Sequence, residues 1–158
     1  MPELFDQAFV LNRRQAVATL GVGTLGAACA GMLPRPAAAS PADADAMLKT
    51  LTGGIASSEG KVKLHLPQIA ENGATVPLRI TVDSPMTEAD HVKVVHVVAE
   101  GNPSPAVASF HFTARSGKAE VSTRIRLGKT QNVRAIAIMS NGTAWHAKEE
   151  VKVTVGGC

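Results

Sequence analysis

AEVSTRIRL, residues 119 to 127, alternates without interruption: Val121, Thr123, Ile125 and Leu127 fall on one side, and Glu120, Ser122, Arg124 and Arg126 on the other. A period of two belongs to a β-strand with one face in a core and one in water. β-Branched-rich runs recur at roughly even spacing around it: VKLHLP (62–67), TVPLRITVD (75–83), HVKVVHVVAE (91–100), VASFHFT (107–113), NVRAIAIMS (132–140) and KEEVKVTV (148–155). Turn chemistry separates them, at Glu71-Asn72-Gly73, Asp83-Ser84-Pro85, Gly101-Asn102-Pro103, Ser116-Gly117, Gly128-Lys129 and Asn141-Gly142. Seven short strands with one-sided burial predict an all-β fold, an immunoglobulin-like antiparallel β-sandwich lacking that fold's cysteine pair. The run 132–140 is apolar on both faces, which predicts a central strand or one covered by a second subunit.

Ahead of the strands, PADADAMLKTLT (41–52) places acidic residues early, Met47, Leu48 and Leu51 in the middle and Gly53-Gly54 as a stop, the pattern of a short amphipathic N-terminal helix. Further upstream, Arg13-Arg14 precede an uncharged apolar run from Ala16 to Leu33 that ends in Pro34-Arg35-Pro36 and three alanines. That order of charged, apolar and small-residue segments is an export signal, expected over residues 1–39, and the arginine pair suggests the twin-arginine route for folded cargo. The mature domain is then residues 40–155, in the periplasm, with no membrane attachment after cleavage.

With 158 residues the chain is one domain long, and 45% hydrophobic residues supply an ordinary core. The formal charge of +3 and the absence of tyrosine exclude a basic, aromatic-laced surface for nucleic acid. Of two cysteines, Cys29 leaves with the leader, so Cys158 stands without an internal disulfide partner in an oxidising compartment. It follows Gly156 and Gly157, which form a flexible arm over 156–158. Residues without a Cβ sample far more backbone conformations than others, and three residues extend at most roughly 10 Å, at about 3.3 to 3.6 Å each. No histidine or lysine is fixed beside the thiol by local sequence to favour the thiolate, which suits a carrier whose partner enzymes supply the activation.

Two functional classes remain open on these residues. One is a covalent carrier working through Cys158. The other is an exported β-sandwich interaction or metal-binding module with an incidental thiol. His65, His91, His96, His111 and His146, with Met86, offer copper-type ligands. His91 and His96, however, are five apart on one expected strand and so point to opposite faces. No Ser-His-Asp order, phosphate-cradling glycine loop or carboxylate pair can be argued from the sequence, so neither a catalytic residue nor a cofactor nor a metal site is assigned.

Taken together, PQIAENGATVPLRITVDSPMT (67–87), NPSPAVASFHF (102–112), AEVSTRIRLGKTQNVRAIA (119–137) and VKVTVGGC (151–158), behind a twin-arginine-like leader, are similar to the SoxY family of sulfur-carrier proteins. The resemblance spans essentially the whole chain. It implies an immunoglobulin-like sandwich in a heterodimer with a SoxZ-like subunit, in which thiosulfate-derived sulfur is carried covalently on Cys158. It also implies that separate sulfur-oxidation enzymes, the SoxAX cytochrome, the SoxB hydrolase and the SoxCD dehydrogenase, act on the carried sulfur, so that the carrier itself is non-catalytic. The family pattern ends Gly-Gly-Cys-Gly-Gly, which predicts that the natural chain continues past Cys158.

Overall fold

The computed structural model describes residues 41–157; the expected leader over 1–39 and the cysteine at 158 lie outside the described residues. The first element is α1 (Pro41–Thr52). Its buried stripe is Ala44, Leu48 and Thr52, spaced by four residues, with Leu51 half-buried beside it. Met47, expected in that stripe, is half-buried at its margin. The helix stops where expected: Gly53 and Gly54 take left-handed φ values of 63° and 79°, and the Gly54 N–H donates to the Lys49 carbonyl at 2.9 Å.

Nine strands follow: β1 (Ser57–Glu59), β2 (Val62–His65), β3 (Ile69–Asn72), β4 (Val76–Val82), β5 (Val92–Ala99), β6 (Ala106–His111), β7 (Ala119–Ile125), β8 (Gln131–Met139) and β9 (Ala144–Val155). They form two sheets, one of six strands in the order β1-β9-β8-β5-β6 with β3 also against β9, and one of three in the order β2-β4-β7. The sandwich is the immunoglobulin-like architecture expected from the alternation in residues 119–127. In β7 itself, Ala119 and Ile125 are buried, Val121 and Thr123 half-buried, and Glu120, Ser122 and Arg124 exposed.

Between the sheets, Val76, Leu78, Ile80 and Val82 of β4 face Val92, Val95, Val97 and Ala99 of β5 and Val133, Ala135, Ala137 and Met139 of β8, all nearly inaccessible to water. On the outer side of the large sheet, α1 covers Val98, Ile136 and Ala144 with Ala44 and Leu48. That resolves the two-faced apolarity of 132–140. β8 is central, flanked by β5 and β9, and its second face is covered by the chain's own helix. Arg134 fastens the arrangement, pairing with Asp45 of α1 at 2.6 Å and with the buried Glu100 at the end of β5.

Two strands were not legible as strands. β1 and β3 run parallel to β9, one against its first half and the other against its second, in a sandwich otherwise antiparallel. β1 is three polar residues, and in β3 only Ala70 is buried, so neither carries an apolar alternation. The register also departs from simple parity in β5. A bulge between Val92 and Val94 lets Val92 and Val95 both face the core. His96 lies on the outer side, while His91 precedes β5, so the strand alternation does not relate the two.

Met86, offered by the sequence as a copper-type ligand, is buried in the domain's own core at 5% exposure with φ 52°. His96 is buried on the outer side of β5, with Nδ1 2.8 Å from the Ser109 hydroxyl on β6. Burial, helped by the charge of His111, pushes its pKa below the ordinary histidine value. An unfolded histidine takes up a proton near pH 6.5, whereas the folded one does not. Stability from this group is therefore complete above about pH 6.5 and is lost as pH falls from there toward the lower folded value. The melting temperature of the native protein should drop more between pH 7.5 and 5 than that of His96→Gln, a difference readable by calorimetry. Leu78→Ala, in a position 1% exposed, should cost about 2–5 kcal/mol in urea unfolding.

Candidate functional site

β9 is the longest strand, twelve residues, and it carries the chain from the α1-covered face to the far end of the sandwich. Burial falls along its last part, from 0% exposure at Val151 to 62% at Val155. The final ladder partners are Asn72 and Val155, where β3 also ends. Gly156 and Gly157 follow, and the cysteine they lead to lies outside the described residues.

Two backbone segments surround these glycines. The first is a turn of 3₁₀ helix, Gly73–Thr75, capped by the Asn72 side chain, whose Oδ1 accepts from the Ala74 N–H at 2.8 Å. The second is the loop from Arg126 to Thr130 between β7 and β8. The Gly157 N–H donates to the Leu127 carbonyl at 3.0 Å, and the Leu127 N–H donates to the Gly73 carbonyl at 2.8 Å. A little earlier, the Val153 N–H donates to the Thr130 hydroxyl at 3.0 Å.

The loop is itself held from beneath. Asn102, 7% exposed, donates from Nδ2 to the Arg126 carbonyl at 2.8 Å and accepts at Oδ1 from the Gly128 N–H at 2.9 Å. Gln131, equally buried, donates to Asn102 Oδ1 at 2.8 Å and accepts from the Gly101 N–H at 2.6 Å. Leu127, fully buried, anchors the middle of the loop in the core. Sequence reasoning took Gly101-Asn102-Pro103 only as a turn. Nothing in the sequence marks which distant backbone an asparagine side chain will reach, although an Asn in a turn is a common local capping signal.

The other side chains singled out from sequence are scattered. Arg124 stays on the exposed face of β7, opposite Pro77, whereas Arg126 lies beyond the strand's end. His91 Nδ1 is 3.0 Å from the Thr87 carbonyl, and His146 Nε2 is 3.7 Å from Glu59. His65 and His111 are exposed on β2 and β6. Among the described residues no three His, Cys, Asp or Glu side chains come together in a way that could hold a metal ion, and no helix is long and apolar enough to cross a membrane. A concavity of about 680 Å3 lies between α1 and the outer face of β8 and β9, lined in part by Leu48, Ile136, Arg134 and His146, at the opposite end of β9 from the glycines.

The fold and this site define a small immunoglobulin-like sandwich whose last strand runs into Gly156 and Gly157, with a cysteine next in the sequence. The family model for sulfur oxidation protein SoxY matches residues 48–158. The chain belongs to the SoxY family. Its structure is similar to that of the sulfur carrier protein SoxY from Chlorobium limicola f thiosulfatophilum, at 32% identity, with 73% of this chain and 100% of that chain covered and a TM-score of 0.62. A superoxide reductase (neelaredoxin) from Ignicoccus hospitalis, at 18% identity with 74% of this chain and 95% of that chain covered, has a TM-score of 0.53. A putative superoxide reductase from Thermotoga maritima, also at 18% identity with 63% and 93% covered, has the same TM-score of 0.53; these two share the fold alone. No curated protein matches the sequence. Family and structure together support a sulfur-carrier role in sulfur oxidation.

Asn102→Ala removes the partners of two backbone groups and of Gln131 at once. It should lower stability by about 1–3 kcal/mol and raise amide hydrogen exchange at Gly128, while exchange in β4 changes only with global stability. Unchanged exchange at Gly128 would show that the loop stands without Asn102.

Proposed function

We propose that the protein is a non-catalytic periplasmic carrier that holds thiosulfate-derived sulfur on Cys158 and presents it to the enzymes of sulfur oxidation. The observation that carries this reading is the SoxY family match, which runs through residue 158 and so includes the thiol. The Arg13-Arg14 leader supports export in the folded state. Gly156 and Gly157 are the arm on which the sulfur travels. A SoxZ-like subunit is the constitutive partner, and the SoxAX cytochrome, SoxB hydrolase and SoxCD dehydrogenase are the enzymes visited.

The loading chemistry is an oxidative coupling. The Cys158 S–H bond breaks, a sulfur–sulfur bond to the outer sulfur of thiosulfate forms, one proton goes to solvent, and two electrons pass to the cytochrome partner. The product is a cysteine-linked S-thiosulfonate. No group on the carrier needs to act as acid, base or metal for this step, because the oxidant and its site belong to the partner.

Intact-mass measurement tests the reading. Incubated with thiosulfate, the SoxZ-like subunit and the oxidising cytochrome, the protein should gain the mass of one SSO3 group, and thiol reductant should remove it. Cys158→Ala should gain nothing; an equal gain by that variant would sink the assignment and leave the interaction-module reading in its place.

A further inference from the structure

We propose that the arm has a seat: Gly156 and Gly157 are held in a slot of bare backbone at the end of the sandwich, and release from that slot precedes any swing toward a partner. The inference rests on the carrier reading for its purpose, but its geometry stands on the described residues alone.

The slot is defined by what a side chain would meet. A Cβ built on Gly157 would lie 2.1 Å from the Ala74 nitrogen and 2.2 Å from the Gly73 carbonyl carbon. One on Gly156 would lie 2.3 Å from the Gly128 oxygen, and one on Gly73 would lie 2.2 Å from the Leu127 oxygen. Real Cβ contacts are essentially never under 3.0 Å. Every one of these obstructing atoms is backbone, so none can turn aside as the tip of a side chain would.

Conformation is not what demands glycine here. The glycines with positive φ are Gly53, Gly54, Gly60, Gly117 and Gly142, and neither Gly73, Gly156 nor Gly157 is among them. Alanine would be acceptable to the backbone torsions at 156 and 157, and only the space forbids it. A linker needing nothing but freedom has no use for such a fit, since small polar residues serve flexible tethers as well.

The walls are fixed and the latch is weak. Asn72 caps the 73–75 turn, and Asn102 with Gln131 ties down the 126–130 loop. Across the slot, the hydrogen bond that holds Gly157 runs from its N–H to the Leu127 carbonyl. An ordinary backbone hydrogen bond has a net worth that biases a two-state equilibrium by roughly twofold to tenfold. The arm is thus seated most of the time and released without cost to the fold. In the released state the chain is free from Val155 onward, where burial has already ended.

Hydrogen exchange measured by NMR on the full chain, without sulfur cargo or partners, tests the seat. The Gly157 amide should exchange about twofold to tenfold more slowly than the same amide in a free VTVGGC peptide. In Gly157→Ala the residue-157 amide should exchange at the peptide rate, with the melting temperature unchanged. A native Gly157 amide that exchanges at the peptide rate overturns the proposal. So does a residue-157 amide that stays as protected in the variant as in the native protein. Each readout is independent of thiosulfate loading, so failure of the seat and failure of sulfur carriage are separately visible.

Discussion

Leu78 and Ile80 of β4, packed between the sheets against the valines of β5 and β8, are the contact on which the rest of the molecule depends. No cysteine lies among the described residues, so no disulfide there restrains the unfolded chain. Packing alone must hold the two sheets. Interiors packed at crystal-like density transmit position with little slack, and this one does so along β9, whose Val151 is fully buried while Val155 is mostly exposed. Burial in the core therefore ends within one strand, at the residue before the two glycines.

The sequence carried the sandwich clearly where burial was one-sided. In 119–127 Ala119, Ile125 and Leu127 enter the core and Val121 and Thr123 are half-buried, while the residues between them are exposed, so the observed burial keeps the period of two. It carried the helix and its glycine stop for the same reason, a strong local signal confirmed by local bonds. Legibility fell where structure is decided by partners far away in sequence. β1 and β3 bury almost nothing and exist because β9 offers them a free edge, an influence that no pattern inside SSE or IAEN can express. The bulge in β5 is equally silent in HVKVVHVV. Valine follows valine there, so an inserted residue changes which face is wet without changing the composition.

The arm shows a finer version of the same limit. That residues 156 and 157 are glycines was plain, and freedom of φ and ψ was the available explanation. The structure adds a steric demand that comes from Gly73, Ala74 and Gly128, more than eighty and nearly thirty residues earlier in the chain. Likewise Asn102 read as a turn former, and it is one, but its amide also holds the loop on which Gly157 rests. A buried amide that satisfies two backbone groups of another loop is costly to lose because both are left without partners.

Freedom and fit are usually opposed demands, and a glycine pair meets both because both follow from the missing Cβ. Serine or alanine pairs would swing but could not enter the slot, and a proline would stiffen the arm and delete the donor that Gly157 uses. A reactive group presented to several partners gains from a common starting point. Under the proposed carrier role, an arm leaving from one place on the sandwich would let each partner recognise the sandwich first and meet the thiol within the reach of three residues, roughly 10 Å. The weakness of the latch is then a requirement. A hold much stronger than one backbone hydrogen bond would subtract from every partner's affinity, since a binding-competent state that is rarely populated lowers apparent affinity by its own fraction.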